Sequence, residues 1–250
     1  MSKIEWTEQT WNPTTGCNKI TAGCKNCYAE TMAKRLQAMG TPGYRNGFEF
    51  TLMPERLNQP LSKKKPTKYF VNSMSDLFHE EMPYEYLDEI FDVIKATPRH
   101  TYQILTKREE RMAGYFENKK LPNNVWLGVT VENMKTTIRI DYLREIDATI
   151  RFLSVEPLLE NIGKLNLKDI HWVIVGGESG HKARPMKKEW AISVKRQCEK
   201  QGSAFFFKQW GAWGADGVRR SKKSNGIELN GEIYQNYPEQ IKEYFKPVNA

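Results

Sequence analysis

The chain has 250 residues and carries 38 Lys and Arg against 30 Asp and Glu, a formal net charge of +8. That length buries a full core in one domain, and the basic balance favours an anionic partner, nucleic acid first. Four cysteines with three of them clustered exclude a disulfide framework, and no run approaches the ~20 apolar residues that span a bilayer.

The start, Met1-Ser-Lys-Ile-Glu-Trp6, lacks the apolar stretch of a signal peptide. The expected compartment is therefore the cytoplasm, where thiols stay reduced and available to metal. A short first strand is expected near Gln9–Asn12. Cys17, Cys24 and Cys27 follow it in one loop, spaced Cys-x6-Cys-x2-Cys. Three thiolates from one loop can hold a soft metal centre and leave one position open. An iron–sulfur cluster takes thiolate ligands, whereas zinc wants a fourth ligand or a water. The spacing alone does not choose between them.

A helix is expected from Tyr28 to Met39, stopped by Gly40 before Thr-Pro-Gly. Residues 40–68 read as an irregular insertion with a short strand near Phe48–Leu52. A rhythm of apolar runs then begins, at Tyr69–Asn72, Tyr102–Leu105, Val125–Val131, Ile150–Val155, Trp172–Val175 and Ala204–Phe207. Helical patterns separate most of them, including Tyr84–Ile94 and Trp190–Lys200. Strand starts every ~20–35 residues are the spacing of βα units on a parallel sheet, and Val, Ile, Phe and Trp suit buried parallel strands. The fold class is α/β: a partial or nearly closed parallel (β/α) barrel of about six to seven strands, residues 1–210. Residues 211–250 read as an appendage without a core of its own. Asn230-Gly231 predicts a type I′ hairpin there.

Polar residues fall directly after each strand. Ser73, Ser75 and Asp76 follow the Tyr69 run; Lys107 and Arg108 follow Leu105; Glu132 follows Val131; Glu156 follows Val155. Gly176-Gly177-Glu178, with Arg184 beyond, follow Val175, and Lys208 follows Phe207. In a parallel barrel such ends converge on the face that carries the site. Asp76, Lys107, Glu132, Glu156, Glu178 and Lys208 are therefore the candidate catalytic residues, able to grip a zwitterion and an anionic substrate together. Each is alternatively a strand-end ion pair that positions a loop. Gly176 and Gly177 permit close backbone approach to a ligand, or form a tight βα turn. His79 reads as a satisfied loop histidine and Cys198 as an inert thiol on an outer helix. Trp126 and Trp172 read as core, and Trp210 and Trp213 as candidates for base stacking.

Asn12-Pro-Thr-Thr-Gly-Cys17, with Gly23-Cys24-Lys-Asn-Cys27-Tyr28-Ala29, resembles the cluster loop of radical S-adenosylmethionine (SAM) enzymes, closest to the spore photoproduct lyase-like branch. That branch uses Cys-x3-Cys-x2-Cys; the first gap here is three residues longer. Along its length the chain also resembles a phage-associated three-cysteine family of unestablished activity. The resemblance implies that Cys17, Cys24 and Cys27 hold a [4Fe–4S] cluster whose fourth iron binds SAM, and that one-electron cleavage gives a 5′-deoxyadenosyl radical. It implies Tyr28, Ser73, Ser75, Asp76, Gly176 and Gly177 as cofactor-binding residues. Gly176-Gly177-Glu178 is similar to the Gly-Gly-Glu that helps bind the methionine amino group in many such enzymes. Here it ends a late strand, so Ser73, Ser75 and Asp76 are better placed for that group. An electron donor such as flavodoxin or ferredoxin, a nucleic acid or nucleotide substrate, and a bacterial or phage-infected host cell complete what is implied. Two other readings stand beside it: a zinc- or cluster-holding nucleic-acid-binding protein without radical chemistry, and a metal-assisted hydrolase using the strand-end carboxylates.

Overall fold

A computed structural model describes residues 4–238. In chain order the elements are β1 (Gln9–Trp11), β2 (Thr14–Thr15), α1 (Tyr28–Ala38), β3 (Thr51–Leu52), α2 (Gln59–Ser62), β4 (Lys68–Val71), α3 (Tyr84–Ala96), β5 (Thr101–Thr106), α4 (Glu109–Phe116) and β6 (Val125–Thr130). They continue with α5 (Arg139–Glu145), β7 (Ile150–Val155), β8 (Trp172–Gly176), α6 (Lys188–Gln201), β9 (Ala204–Gln209), α7 (Lys222–Asn225), β10 (Glu228–Leu229) and β11 (Glu232–Ile233). The main sheet is a seven-stranded parallel half-barrel in the order β1-β4-β5-β6-β7-β8-β9.

The chain divides into two compact units. Among the described residues, the first holds residues 4–130 together with Ile138–Thr149; the second holds Val131–Thr137 and residues 150–238. In the first unit the buried strands β4, β5 and β6 pair in parallel with regular register, Tyr69 with Tyr102 and Ile104 with Leu127. Every residue of β6 is buried, which is why it reads as an unbroken apolar run without alternation. Helix α3 turns Tyr86, Leu87, Ile90, Phe91, Val93 and Ile94 inward. Each such side chain contributes about 1.5–3 kcal/mol of burial. The short pair β2–β3 is antiparallel and joins the cysteine loop to residues 51–52.

In the second unit β7, β8 and β9 pair in parallel, with a register shift after Val175. Helix α6 ends at Gly202 in the left-handed region, φ 78°, where glycine carries no Cβ penalty. Cys198 on this helix is fully buried, and burial pushes its pKa up to about 12. The segment after β9 runs back along that strand. Phe207 N donates to Tyr234 O at 2.6 Å and Asn236 N to Phe205 O at 3.2 Å. This segment therefore supplies partners for the open side of β9, an edge that would otherwise be free to pair with another chain. Asn230 (φ 58°) and Gly231 (φ 79°) form the β10–β11 turn. Residues 239–250 of the expected appendage lie outside the described residues.

Candidate functional site: a three-thiol loop

The cysteine loop leaves β1 and is seamed to the loop that leaves β4. Asn12 Oδ1 accepts from Ser73 Oγ at 3.1 Å and from Met74 N at 3.2 Å. Ser75 Oγ donates to Gly16 O at 2.7 Å, and Gly16 N donates to Met74 O at 3.0 Å. Gly16 has φ +80°, and a Cβ there would sit 1.9 Å from Glu49 O. Only glycine fits where the loop turns toward Cys17. Tyr28, whose ring is largely exposed, donates its hydroxyl to Ser73 O.

Cys17, Cys24 and Cys27 are all free thiols of intermediate exposure. Cys24 closes a 3-10 turn, with its N donating to Thr21 O at 3.0 Å and its sulfur 3.6 Å from Thr21 Oγ1. Cys27 is the residue that caps α1. Cys17 N donates to Phe48 O at 3.0 Å, and its sulfur lies 3.5 Å from Arg108 Nη1. Burial and Asp76 push the Cys17 thiol up to about 11, against the pull of Arg108. Burial also opposes ionisation of Cys24, but Lys107 and hydrogen bonds from Ile20 and Thr21 outweigh it, and that pKa falls. Among the described residues no group of three or more His, Cys, Asp or Glu is drawn together as a ready-made metal cradle. The donor set itself fits an iron–sulfur cluster: three free thiols on one loop, with Lys107 favouring thiolate at Cys24 and Arg108 donating to the Cys17 sulfur. Binding would require the sulfurs to draw inward.

Asp76 lies at the end of β4 and is buried. Its Oδ1 accepts from Phe78 N at 3.0 Å and from Thr106 Oγ1 at 2.7 Å. Its Oδ2 accepts from Lys107 N at 3.0 Å and faces Arg108 Nη1 at 3.2 Å. A carboxylate has about four acceptor positions, and here all four are spent inside the protein. Lys107 Nζ makes one bond, to Thr130 Oγ1 at 3.2 Å. His79 stacks on Phe50 at 4.4 Å, its Nδ1 accepts from Glu81 N at 3.2 Å, and its buried Nε2 has no partner among the described residues.

In the second unit Glu156 is paired with Lys208, with Nζ 3.0 Å from Oε1 and 2.8 Å from Oε2, and Gln209 Nε2 adds a bond at 3.2 Å. Gly176 lies against this carboxylate: a Cβ there would be 3.1 Å from Glu156 Cδ. Gly177 lies against backbone, because its Cβ would meet Trp210 O at 2.0 Å. The close approach made by Gly177 is thus to the chain after β9. Glu178 is buried and paired with Arg184. Glu132 is buried and exerts its charge on Arg184.

The thiols, Tyr28, Ser73, Ser75, Asp76 and Lys107 all belong to the first unit. Glu132, Glu156, Gly176, Gly177, Glu178 and Lys208 belong to the second. Arg108 and Asn12 carry more of the first site than strand-end reasoning assigned to them. The signal for Asn12 lay in its place beside the cysteine motif. Arg108 was one of two adjacent cations, and sequence alone does not say which of them turns to the sulfur. Trp210, expected as a stacking platform, is buried against Phe207 and donates to Glu228 O at 2.8 Å. Trp213 is half-buried and donates to Ala183 O at 2.7 Å.

No helix among the described residues is long and apolar enough to cross a membrane. The family model described as Protein of unknown function (DUF5131) matches residues 1–238. The comparison with curated proteins gives no match. Among solved structures, a cysteine-to-serine mutant of spore photoproduct lyase matches at 13% identity and TM-score 0.45, covering 80% of this chain and 63% of that one. A mutant of the same lyase with bound AdoMet and dinucleoside spore photoproduct matches at 12% identity and TM-score 0.41, covering 77% and 61%. A further mutant matches at 14% identity and TM-score 0.41, covering 94% and 73%. The chain spans less than two thirds of the first two of these neighbours.

Proposed function

The chain belongs to the DUF5131 family, whose description assigns no activity, and we propose that it is a radical SAM-type iron–sulfur enzyme acting on a nucleic acid or nucleotide. The observation that supports this reading is the three free thiols on one loop directly after the first strand of a parallel α/β half-barrel. Arg108 acts on the Cys17 sulfur and Lys107 on that of Cys24.

On this reading Cys17, Cys24 and Cys27 would hold a [4Fe–4S] cluster, with SAM as its partner cofactor. When bound and reduced by an external one-electron donor, that group would supply reductive cleavage of a sulfonium C–S bond, with methionine leaving, as a means of hydrogen abstraction. The chain's own residues position and shield. The Asn12–Ser73 and Gly16–Ser75 bonds fix the cysteine loop on the β4 loop. Lys107 Nζ, an ammonium with three donors, is suited to an anionic group such as a carboxylate. Within the second unit Glu132, Glu156, Glu178 and Lys208 are proposed to orient polar groups of the substrate.

The nucleic-acid part of the reading rests on charge. In the second unit, exposed His181 and Lys182 stand on the loop after β8, and exposed Arg219, Arg220, Lys222 and Lys223 on the segment after β9. Arg219 donates to His181 O and ties the two stretches together.

The test is anaerobic reconstitution with iron and sulfide, reduction with dithionite, addition of SAM and a search for 5′-deoxyadenosine by chromatography. A brown protein that forms it is expected. A colourless zinc protein returns the reading to a zinc-holding nucleic-acid binder. Activity dependent only on added divalent metal returns it to a hydrolase.

A further inference from the structure

We propose that Arg108, braced by Asp76, is a positioning residue for Cys17: it donates to that sulfur, fixes the long first arm of the cysteine loop and sets the electron demand of the centre held there. This rests on the reading that the three thiols ligate a metal centre.

The three cysteines are fixed by different means. Cys24 belongs to a 3-10 turn and Cys27 caps α1, so local backbone structure sets both. Cys17 stands seven residues before Cys24 with no helix around it. Its sulfur donates within the loop to Asn18 O at 3.4 Å and accepts, from outside the loop, from Arg108 Nη1 at 3.5 Å. The same guanidinium reaches Asp76 Oδ2 at 3.2 Å and donates through Nη2 to Asn18 Oδ1, next to Cys17. Both side chains of the Asp76–Arg108 pair are only 9% exposed. Asp76 is locked in turn by Phe78, Thr106 and Lys107. The ends of β4 and β5 therefore hold Arg108, and Arg108 holds the loop that follows β1.

A lysine cannot make this set of contacts. Reaching a thiol, a carboxylate and an amide oxygen at once needs the planar fork of arginine. Outer partners of a metal ligand orient it, and their loss typically costs 10–100-fold in metal affinity. Hydrogen bonds to cluster sulfurs also help set reduction potential.

The experiment compares wild type, Arg108→Gln, Arg108→Lys and the exposed control Arg35→Gln. The double variant Asp76→Asn with Arg108→Gln is added because it leaves no lone buried carboxylate to unfold the chain. Two probes are used: cadmium ion alone, followed by its thiolate absorption, and the reconstituted iron–sulfur cluster, followed by redox titration. Arg108→Gln and the double variant should bind cadmium about 10–100-fold more weakly. Their clusters should be at least tenfold harder to reduce at a fixed potential, a fall of about 59 mV for one electron. Arg108→Lys keeps the charge and should recover part of the potential, while its cadmium affinity stays low. Arg35→Gln should match wild type.

Equal cadmium affinity and equal potential in wild type and Arg108→Gln overturns the proposal. Wild type that takes cadmium but no cluster removes the proposed enzyme reading and leaves the cadmium comparison to decide this one. Wild type that takes neither overturns both.

Discussion

Glu178 grips Arg184 through hydrogen bonds that include Arg184 N at 2.8 Å and Nε at 2.9 Å to Oε2, and Nη2 at 2.5 Å to Oε1. The carboxylate side is 5% exposed and the guanidinium 30%. The pair closes the loop that carries His181 and Lys182. Glu178→Ala should destabilise the protein by about 2–3 kcal/mol, the range for hydrogen bonds to a buried charge. Glu178→Gln should cost less, since an amide oxygen still accepts from the Arg184 backbone. Urea unfolding of the two variants checks the order, and an unchanged midpoint for Glu178→Ala counts against this geometry in solution.

Two glycines with similar backbone angles should respond differently to a methyl group. Gly16 (φ +80°) would drive its Cβ to 1.9 Å from Glu49 O, whereas Gly40 (φ +67°) has nothing within 4 Å. Gly40→Ala should therefore cost only the left-handed conformation, about 1 kcal/mol. Gly16→Ala must also move the backbone of residues 48–49, to which Cys17 N is bonded. It should cost clearly more and lower metal loading of the thiol loop. Urea midpoints and iron content per chain test the contrast; equal effects of the two substitutions would remove the steric argument.

Much of this was legible in the sequence. The strand runs from Tyr69, Tyr102, Val125, Ile150, Trp172 and Ala204 announced themselves because buried parallel strands are apolar on both faces. Asn230-Gly231 announced its turn because two successive positive φ angles admit few other residue pairs. The three thiols were legible as a donor set. Their surroundings were not, because pairings such as Arg108 with Cys17 join residues far apart in the chain. Periodicity says which face is buried, but it cannot say which of two adjacent cations turns to a sulfur. Trp210 misled for a related reason. A large aromatic just past a strand can stack on a ligand or on its own core, and Phe207 takes it here.

Acid should weaken the fold before any carboxylate is titrated. Burial lowers the pKa of His171, aided by Arg151, below its ordinary 6.5. Burial does the same for His100, outweighing the hydrogen bond to Pro60 O, and for His79, aided by Arg108. The unfolded chain thus takes up these protons first as pH falls. Stability is full above about pH 6.5 and declines as pH drops from there through the folded values. Urea midpoints between pH 8 and pH 5.5 should show that decline. His171→Asn keeps an acceptor for Arg151 N, which His171 Nδ1 now receives at 3.0 Å, and should flatten part of the slope. A midpoint that is level across this range argues against buried neutral histidines.

Nucleic-acid binding by the second unit should depend on some of its cations and not on others. Arg220 is held by Asp216 through bonds of 2.9 and 2.6 Å, so its charge is already met. Lys223 is exposed on the segment after β9, one of the two stretches that Arg219 ties together. Each phosphate neutralised should steepen the salt dependence by about 0.7–0.9 log units of affinity per tenfold salt. Lys223→Ala should therefore shallow the slope by about 0.7–0.9 log units per tenfold salt, while Arg220→Ala should change it little. Single-stranded and duplex oligonucleotides both belong in the assay, because a target base must be unpaired or flipped out to be reached by chemistry in an enclosed site. Fluorescence anisotropy across a salt series reads the slopes. No binding to either form at low salt discards the nucleic-acid substrate and points to a small anionic one, with the metal-binding role of the thiol loop still to be judged on its own experiments.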